Sequence, residues 1–574
     1  MPFLRRTPHA RSPAGTLAIA FLAVAFALPM QNLGWGQTSQ LALVKSLSHG
    51  TPKIDRYHWE TRDKSYYRGH YYSVKSPGLS LLTLPLYKLV DKPGWKASTW
   101  AARNSIEHGA SRWHRGLQIT NEFGFDPKIA AATRATVENE SALAWFLGLL
   151  GTVAPTIALV LLVRFIGDRL APGFGTAAGV AAGLGTLLLP FSGLFFSHAL
   201  AACLGFAAFV VLWVEREGEP RVRRVALAGA LAGLAITCEY PLALVAAIVG
   251  VYALARPDRL RRALAYGGGA VAGLLPLFGY NLWAFGKPIH SGYADAVAIQ
   301  GASGHDVLGL NSSGFFGIGA PNLRVATQLL FSAKGLLITS PLLALGIAGT
   351  VLLYRRGKRA EALLIAAVAV AYLVYNAGYY LPFGGGSPGP RFLIPVIPFL
   401  CAPLALAFKR WPAAMLGLAV ASTVTLATAT LTMPLIGNQD VGYWGFLARN
   451  HSFENTFVTV LGHGRGWLAI SPFIAAVLAA AVFAARATAP VRIARRDLLG
   501  AVIALTAWAG VAATVPDLLG RGDPDVGHTS AALALVAVSL ASGLLAVLLA
   551  AAFSAGARGR APRRRAPRGE AAAP

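Results

Sequence analysis

The stretch LAWFLGLLGTVAPTIALVLLV, positions 143–163, carries no charged side chain from end to end. A bilayer-spanning helix needs about 20 consecutive apolar residues, and this run supplies them. The run SAALALVAVSLASGLLAVLLAAAF at 530–553 meets the same requirement. Similar runs recur along all 574 residues, which are 55% hydrophobic and 13% charged, with a mean hydropathy of +0.53. A soluble chain carries about a quarter charged residues. The fold class implied is an all-α, polytopic membrane protein.

Window reasoning with the N-terminus in the cytoplasm places spans near 14–30, 141–163, 172–191, 194–214, 223–239, 241–255, 262–282, 335–354, 360–381, 390–408, 411–433, 467–485, 498–516 and 529–553. That predicts 12–14 helices. The formal charge of +26 raises the question of a nucleic-acid partner, but its distribution argues against one. Arg5, Arg6 and Arg11, then Arg216 to Arg224, Arg256 to Arg262, Arg355 to Arg359, Lys409 with Arg410, and Arg486 to Arg496 are short clusters between spans. With this topology every one falls on the cytoplasmic side, as positive-inside topology requires. The three cysteines, Cys203, Cys238 and Cys401, have neither metal spacing nor a disulfide framework. No internal repeat, P-loop, nucleotide-binding glycine pattern or zinc signature is found.

Five regions follow. Residues 1–30 are a basic start and a retained first helix, with cleavage after Ala25-Phe26-Ala27 as the alternative. Residues 31–140 form a long first extracytoplasmic loop, in which SQLALVKSLSHG has the spacing of an amphipathic interfacial helix. The Leu/Pro run at 79–86 is too short to span and suits a re-entrant or interfacial piece. Residues 141–435 are a transmembrane core with a second outer loop at 283–334. Residues 436–553 add an outer loop and further helices, and 554–574 are a basic, disordered cytoplasmic tail attracted to anionic headgroups.

Polar side chains gather toward the outer edge: His198 in LFFSHALAA, Glu239 in ITCEYPLAL, Asn281 and Lys287 in YNLWAFGKP, Lys334 in FSAKGLLITSP, and Arg391 in GGGSPGPRFLIPVIPF. Ionisable groups at membrane depth are costly and point to function. Each has a plainer reading: a snorkelling anchor for Lys334, a satisfied interhelical hydrogen bond for His198. Arg391 follows a glycine–proline stretch whose free backbone N–H groups, with a planar guanidinium, suit phosphate. In the first loop IDRYHWETRDKSYYRGHYYSVKSPG sets Asp55, Glu60, Asp63 and Lys75 among tyrosines including Tyr72. A carboxylate beside a lysine can set a general base next to a phosphate leaving group.

At these residues the chain resembles the GT-C superfamily of polyprenyl-phosphate-dependent glycosyltransferases, in particular bacterial members related to protein O-mannosyltransferases and the lipid A aminoarabinose transferase. YYSVKSPGLSLLTLPLY is similar to the family's Tyr-rich lead into a Lys-Pro-Pro-type motif, with Lys75 and Pro77 matching and Ser76 in place of the first Pro. YNLWAFGKPIHSGY, KGLLITSP and GGGSPGPRFLIPVIPF are similar to later blocks, and the likeness covers roughly 15 to 435. It implies a GT-C-like fold and a polyprenyl-phosphate sugar donor. It also implies inverting transfer to a hydroxyl of a glycan, lipid or protein at the outer face of a bacterial plasma membrane. Asp63 or Asp55 is then the base, and Lys75 and Arg391, with Lys334, meet the phosphate. Glu239, His198, Tyr72 and Asn32 are supporting polar residues. The chain departs from the pattern after the first helix, where QNLGWGQTSQ has Asn32 and Gln37 but no acid. No cofactor is identified; the outer-loop acids could bind a divalent metal, but no ligand spacing commits to one. The alternatives are a lipid or polysaccharide transporter or flippase, and a non-catalytic envelope-assembly protein. The first of these predicts mid-membrane charges and paired broken helices.

Overall fold

A computed structural model describes residues 12–31, 33–107, 139–299, 302–303, 318–436, 442–453, 457–460, 466–491, 493–520 and 530–559. Helices occupy every one of the expected spans. By length and composition, eight of them can cross a membrane among the described residues, or ten if two bent pairs each count as one. Helices α1 (Pro13–Ala27), Gly175–Leu184 and Leu242–Leu254 are apolar but short. At 1.5 Å per residue, fifteen residues reach about 22 Å, less than the roughly 30 Å hydrocarbon core. The bent pairs are Leu323–Thr339 with Leu342–Arg355, at 92°, and Arg391–Cys401 with Leu404–Arg410, at 56°. Each break falls at a proline, Pro341 or Pro403, whose ring and missing N–H end a helix at the preceding turn.

The interior is one extended apolar core in which Phe191, Phe206, Phe209, Trp213, Tyr372 and Phe399 are fully buried. One end is locked by ions. Glu215, with no exposure, takes two hydrogen bonds from Arg262, at 2.8 and 2.9 Å, and Tyr252 donates to Glu361 at 2.7 Å. The opposite end of the same helix, His198–Glu217, begins at His198. Seventeen residues of helix put about 26 Å between these two polar levels, close to the hydrocarbon thickness.

Two expectations for the first loop need correction. The segment SQLALVKSLSHG does form a helix, α2 (Trp35–Ser48), but Gly36 through Leu47 are buried, so it is packed inside protein and not laid on a lipid surface. The Leu/Pro run 79–86 is no separate re-entrant piece. It forms the first turns of α3 (Gly78–Glu107), a thirty-residue helix that carries Pro85 and Pro93. Lys45 of α2 is buried and bonds Glu60 and Glu140, the latter at 2.9 and 3.1 Å, which ties the loop to the helix Asn139–Leu170.

The tyrosine-rich stretch folds as a hairpin, β1 (Lys64–Tyr67) with β2 (His70–Ser73), in the register Tyr67↔His70 and Lys64↔Ser73. Its two-residue turn has Arg68 at φ 49° and Gly69 at φ 84°. Both positions of such a primed turn need positive φ, the reason for a glycine. β1 also pairs with β3 (Ala296–Ile299), matching Lys64 with Val297 and Ser65 with Ala296. With β4 (Ala302–Ser303) the sheet order is β2-β1-β3-β4, so strands from two outer loops share one small sheet.

Candidate active-site cavity

A cavity of about 750 Å³ lies where this sheet meets the helix ends. Its polar lining includes Lys75, His198, Glu239, Asn281, Tyr293 and Arg391. Phe196, Tyr375, Tyr379 and Phe392 contribute aromatic wall.

Lys75 stands between the hairpin and α3. Its Nζ lies 2.8 Å from Asp63 Oδ2 and donates to the Tyr293 hydroxyl at 3.1 Å. The β1–β3 pairing brings the Gly292–Asp295 turn, and with it Tyr293, to this point. Asp63 is fixed from behind, because the Ser39 hydroxyl donates to its carbonyl at 2.5 Å. Burial alone would raise the Asp63 carboxyl. The Lys75 charge and hydrogen bond, with Arg391 and Arg62 beyond, outweigh burial and hold it below the ordinary range. For Lys75, burial opposes charge, but Asp63 prevails and the ammonium is held above its usual value.

Arg391 opens the bent helix Arg391–Cys401. Its guanidinium lies over Phe196 at 4.9 Å and Phe392 at 5.3 Å, and its Nε has no hydrogen-bond partner. Gly384, at φ 82°, is required here: a Cβ on it would come within 2.3 Å of Arg391 Nε. On the facing wall His198 Nδ1 is 3.0 Å from Glu239 Oε1, which also accepts from the Ser197 hydroxyl at 2.6 Å. The interhelical bond expected for His198 is thus present, with Glu239 as its partner.

Apart from Asn281, the remaining sequence candidates are not gathered here. Asp55 accepts from the Tyr71 amide at 2.7 Å and sits 2.8 Å from His70 Nδ1, off the cavity lining. Lys334 is buried at a helix break, its carbonyl close to Gly389, and is not a lining residue. Tyr72 is buried against Phe285, ring centroids 4.9 Å apart, in a cluster beside the cavity. Asn32 lies outside the described residues. Lys287 is exposed, whereas Asn281 is buried and closes its loop by donating to the carbonyls of Pro288 and His290 at 3.1 Å.

Sequence reasoning missed Tyr293 and the pair His290–Asp295, 2.9 Å apart, although both lie in or next to the quoted block YNLWAFGKPIHSGY. The signal available was the closing HSGY, polar residues ending a loop that starts at a membrane edge. Among the described residues no three His, Cys, Asp or Glu side chains cluster as a metal set.

No protein-family model matches the chain, and no curated protein matches it either. Among solved structures, the chain is similar to the crystal structure of ArnT from Cupriavidus metallidurans bound to undecaprenyl phosphate. The identity is 14% and the TM-score 0.41, over 95% of this chain and 77% of that one. The apo state of the same protein gives 14% identity and a TM-score of 0.41, over 82% and 77%. Likeness at that level assigns neither family nor activity. What the chain's own helices establish is a multi-pass, predominantly helical membrane protein with a cavity of mixed polar and aromatic lining at one end.

Proposed function

We propose that the chain is an integral-membrane glycosyltransferase of the GT-C type. It would move a sugar from a polyprenyl-phosphate donor to an acceptor hydroxyl, with inversion, at the outer face of a bacterial plasma membrane. The observation that carries this reading is the convergence of Lys75 and Arg391, from distant parts of the chain, on one cavity at the end of a helical membrane core. The order of the motif blocks around Lys75, Lys334 and Arg391 supports it.

In this reading Lys75 and Arg391 receive the lipid phosphate and stabilise the charge that develops as it leaves. Arg391 offers a planar guanidinium, held over the rings of two phenylalanines. Asp63 holds Lys75 in position and keeps it charged. The acceptor enters from the loop side, past Tyr293 and Asn281, and the polyprenyl chain lies along the exposed apolar helix faces.

The test is binding. Purified protein in lipid nanodiscs is titrated with polyprenyl phosphate and with the uncharged polyprenol. A charge-assisted hydrogen bond to phosphate is worth about 2 kcal/mol, roughly thirtyfold in affinity. Lys75→Ala and Arg391→Ala should each lose about that factor for the phosphate and little for the alcohol. Equal affinity of the wild type for the two lipids would reject the reading.

A further inference from the structure

His198 is the first residue of its helix and only 5% exposed. Its ring is enclosed by Phe191, Phe196 and Phe392, at centroid distances of 5.5, 5.4 and 5.9 Å. Nδ1 is committed to Glu239, yet Nε2 has no partner although the residue lines the cavity. With Nδ1–H donating to a carboxylate, the neutral ring carries its lone pair on Nε2. A buried polar atom left unpaired costs about 1–3 kcal/mol, so this one calls for a donor brought by a ligand.

The charged and titratable groups around it decide which donor. Glu239 and Tyr240 face it from the connection after the helix Val222–Cys238, and Arg391 from the bent helix. Tyr375 lies in the helix Arg359–Ala377 and Tyr379 just beyond its end, Tyr293 comes from the second loop, and Lys75 with its partner Asp63 from the first. Two cations, Lys75 and Arg391, line the cavity together with His198. Glu239, held by Ser197, stabilises the imidazolium once a proton arrives. This is the arrangement of an oriented imidazole base. Asp63, committed to Lys75, is a poor competitor for the proton, and Asp55 is elsewhere.

We propose that His198, oriented by Glu239, is the proton acceptor for the attacking hydroxyl. The inference rests on the glycosyl-transfer reading above. The hydroxyl oxygen forms a bond to the anomeric carbon while the bond from that carbon to the phosphate oxygen breaks. The bonding pair leaves with the polyprenyl phosphate, and the hydroxyl proton passes to His198 Nε2. His198 touches the substrate and is catalytic; Glu239 acts through it and is a positioning residue.

The experiment uses native membranes, which carry the acceptor, from cells producing the full chain, with radiolabelled polyprenyl-phosphate hexoses as donors. Positioned proton transfer contributes about 10²–10⁴-fold. His198→Gln is expected to lower turnover by about a hundredfold or more, with polyprenyl-phosphate affinity unchanged. It should also abolish the acid limb of the wild-type pH–rate profile. Glu239→Gln should lower turnover less and displace that limb. An active wild type whose limb and turnover survive His198→Gln overturns the dyad alone, and loss of lipid affinity in that variant overturns it as a structural role. A wild type that turns over no donor overturns the glycosyl-transfer reading, and the dyad with it.

Discussion

At the scale of single residues, the cationic pole of the cavity is set by two side chains with different means of support. Lys75 is held by an ion pair, Arg391 by stacking and by the empty space over Gly384. Gly384→Ala should therefore act like a partial Arg391 deletion, lowering polyprenyl-phosphate affinity severalfold with little effect on polyprenol. Equal affinities in wild type and variant would show that the guanidinium position does not matter. The Lys75–Asp63 pair also fixes a pH expectation. Asp63 is depressed, so its contribution is present above about pH 4 and is lost as acid protonates it. Lys75 is raised, so its contribution is present below about pH 10.4 and fades only in stronger alkali. Affinity for a polyprenyl-phosphate hexose, a phosphodiester whose own charge does not change in this window, should therefore not fall as the pH is lowered from about 9 to 5, measured by titration in nanodiscs; a fall on acidification within that window would mean the pair is not the anchor. Lys75 and Arg391 were legible in the sequence because each sits in a Gly/Pro-punctuated block at a membrane edge. The bond between His198 and Glu239 was not, since two turns far apart in sequence meet only once their helices pack.

At the scale of elements, the helices could be read and their lengths could not. Apolar composition marks where a helix forms, but Pro341 and Pro403 break two runs that look continuous to a hydropathy window. The Leu/Pro run at 79–86 was misread for a related reason. Its own eight residues are too few to span, and what extends them is the polar continuation to Glu107. The small sheet was invisible, because the strands that join, β1 and β3, come from different loops and each is only four residues long. That sheet is what carries Tyr293 to Lys75. At the opposite end, Arg262→Ala would leave Glu215 buried with Arg256, 3.7 Å away, and the Arg221 backbone N–H in place of its two close guanidinium hydrogen bonds. Breaking a buried pair costs about 3–5 kcal/mol, so the variant should show a clearly lowered Tm in detergent, while Lys358→Ala, at an exposed pair with Glu217, should change it little. Similar melting of the two variants would mean the Glu215–Arg262 contact is not a lock.

At the scale of the whole molecule, a membrane core about one hydrocarbon thickness deep separates an ion-locked end from a cavity end. We propose, from the positive clusters, that the locked end faces the cytoplasm. A cysteine introduced at Lys53, in the first loop, should then react with an impermeant maleimide from outside intact cells; labelling only after permeabilisation would invert the topology. In the proposed reading the cavity faces outward, the donor would arrive within the membrane and the acceptor from the aqueous side, and no nucleotide-binding domain would be needed. The most direct measurement of that account is transfer of label from a radiolabelled polyprenyl-phosphate hexose in native membranes, comparing wild type with Lys75→Ala at equal protein levels. Label should appear in a membrane or envelope acceptor with the wild type, with a loss of tenfold or more in the variant. Equal transfer by both proteins would contradict it.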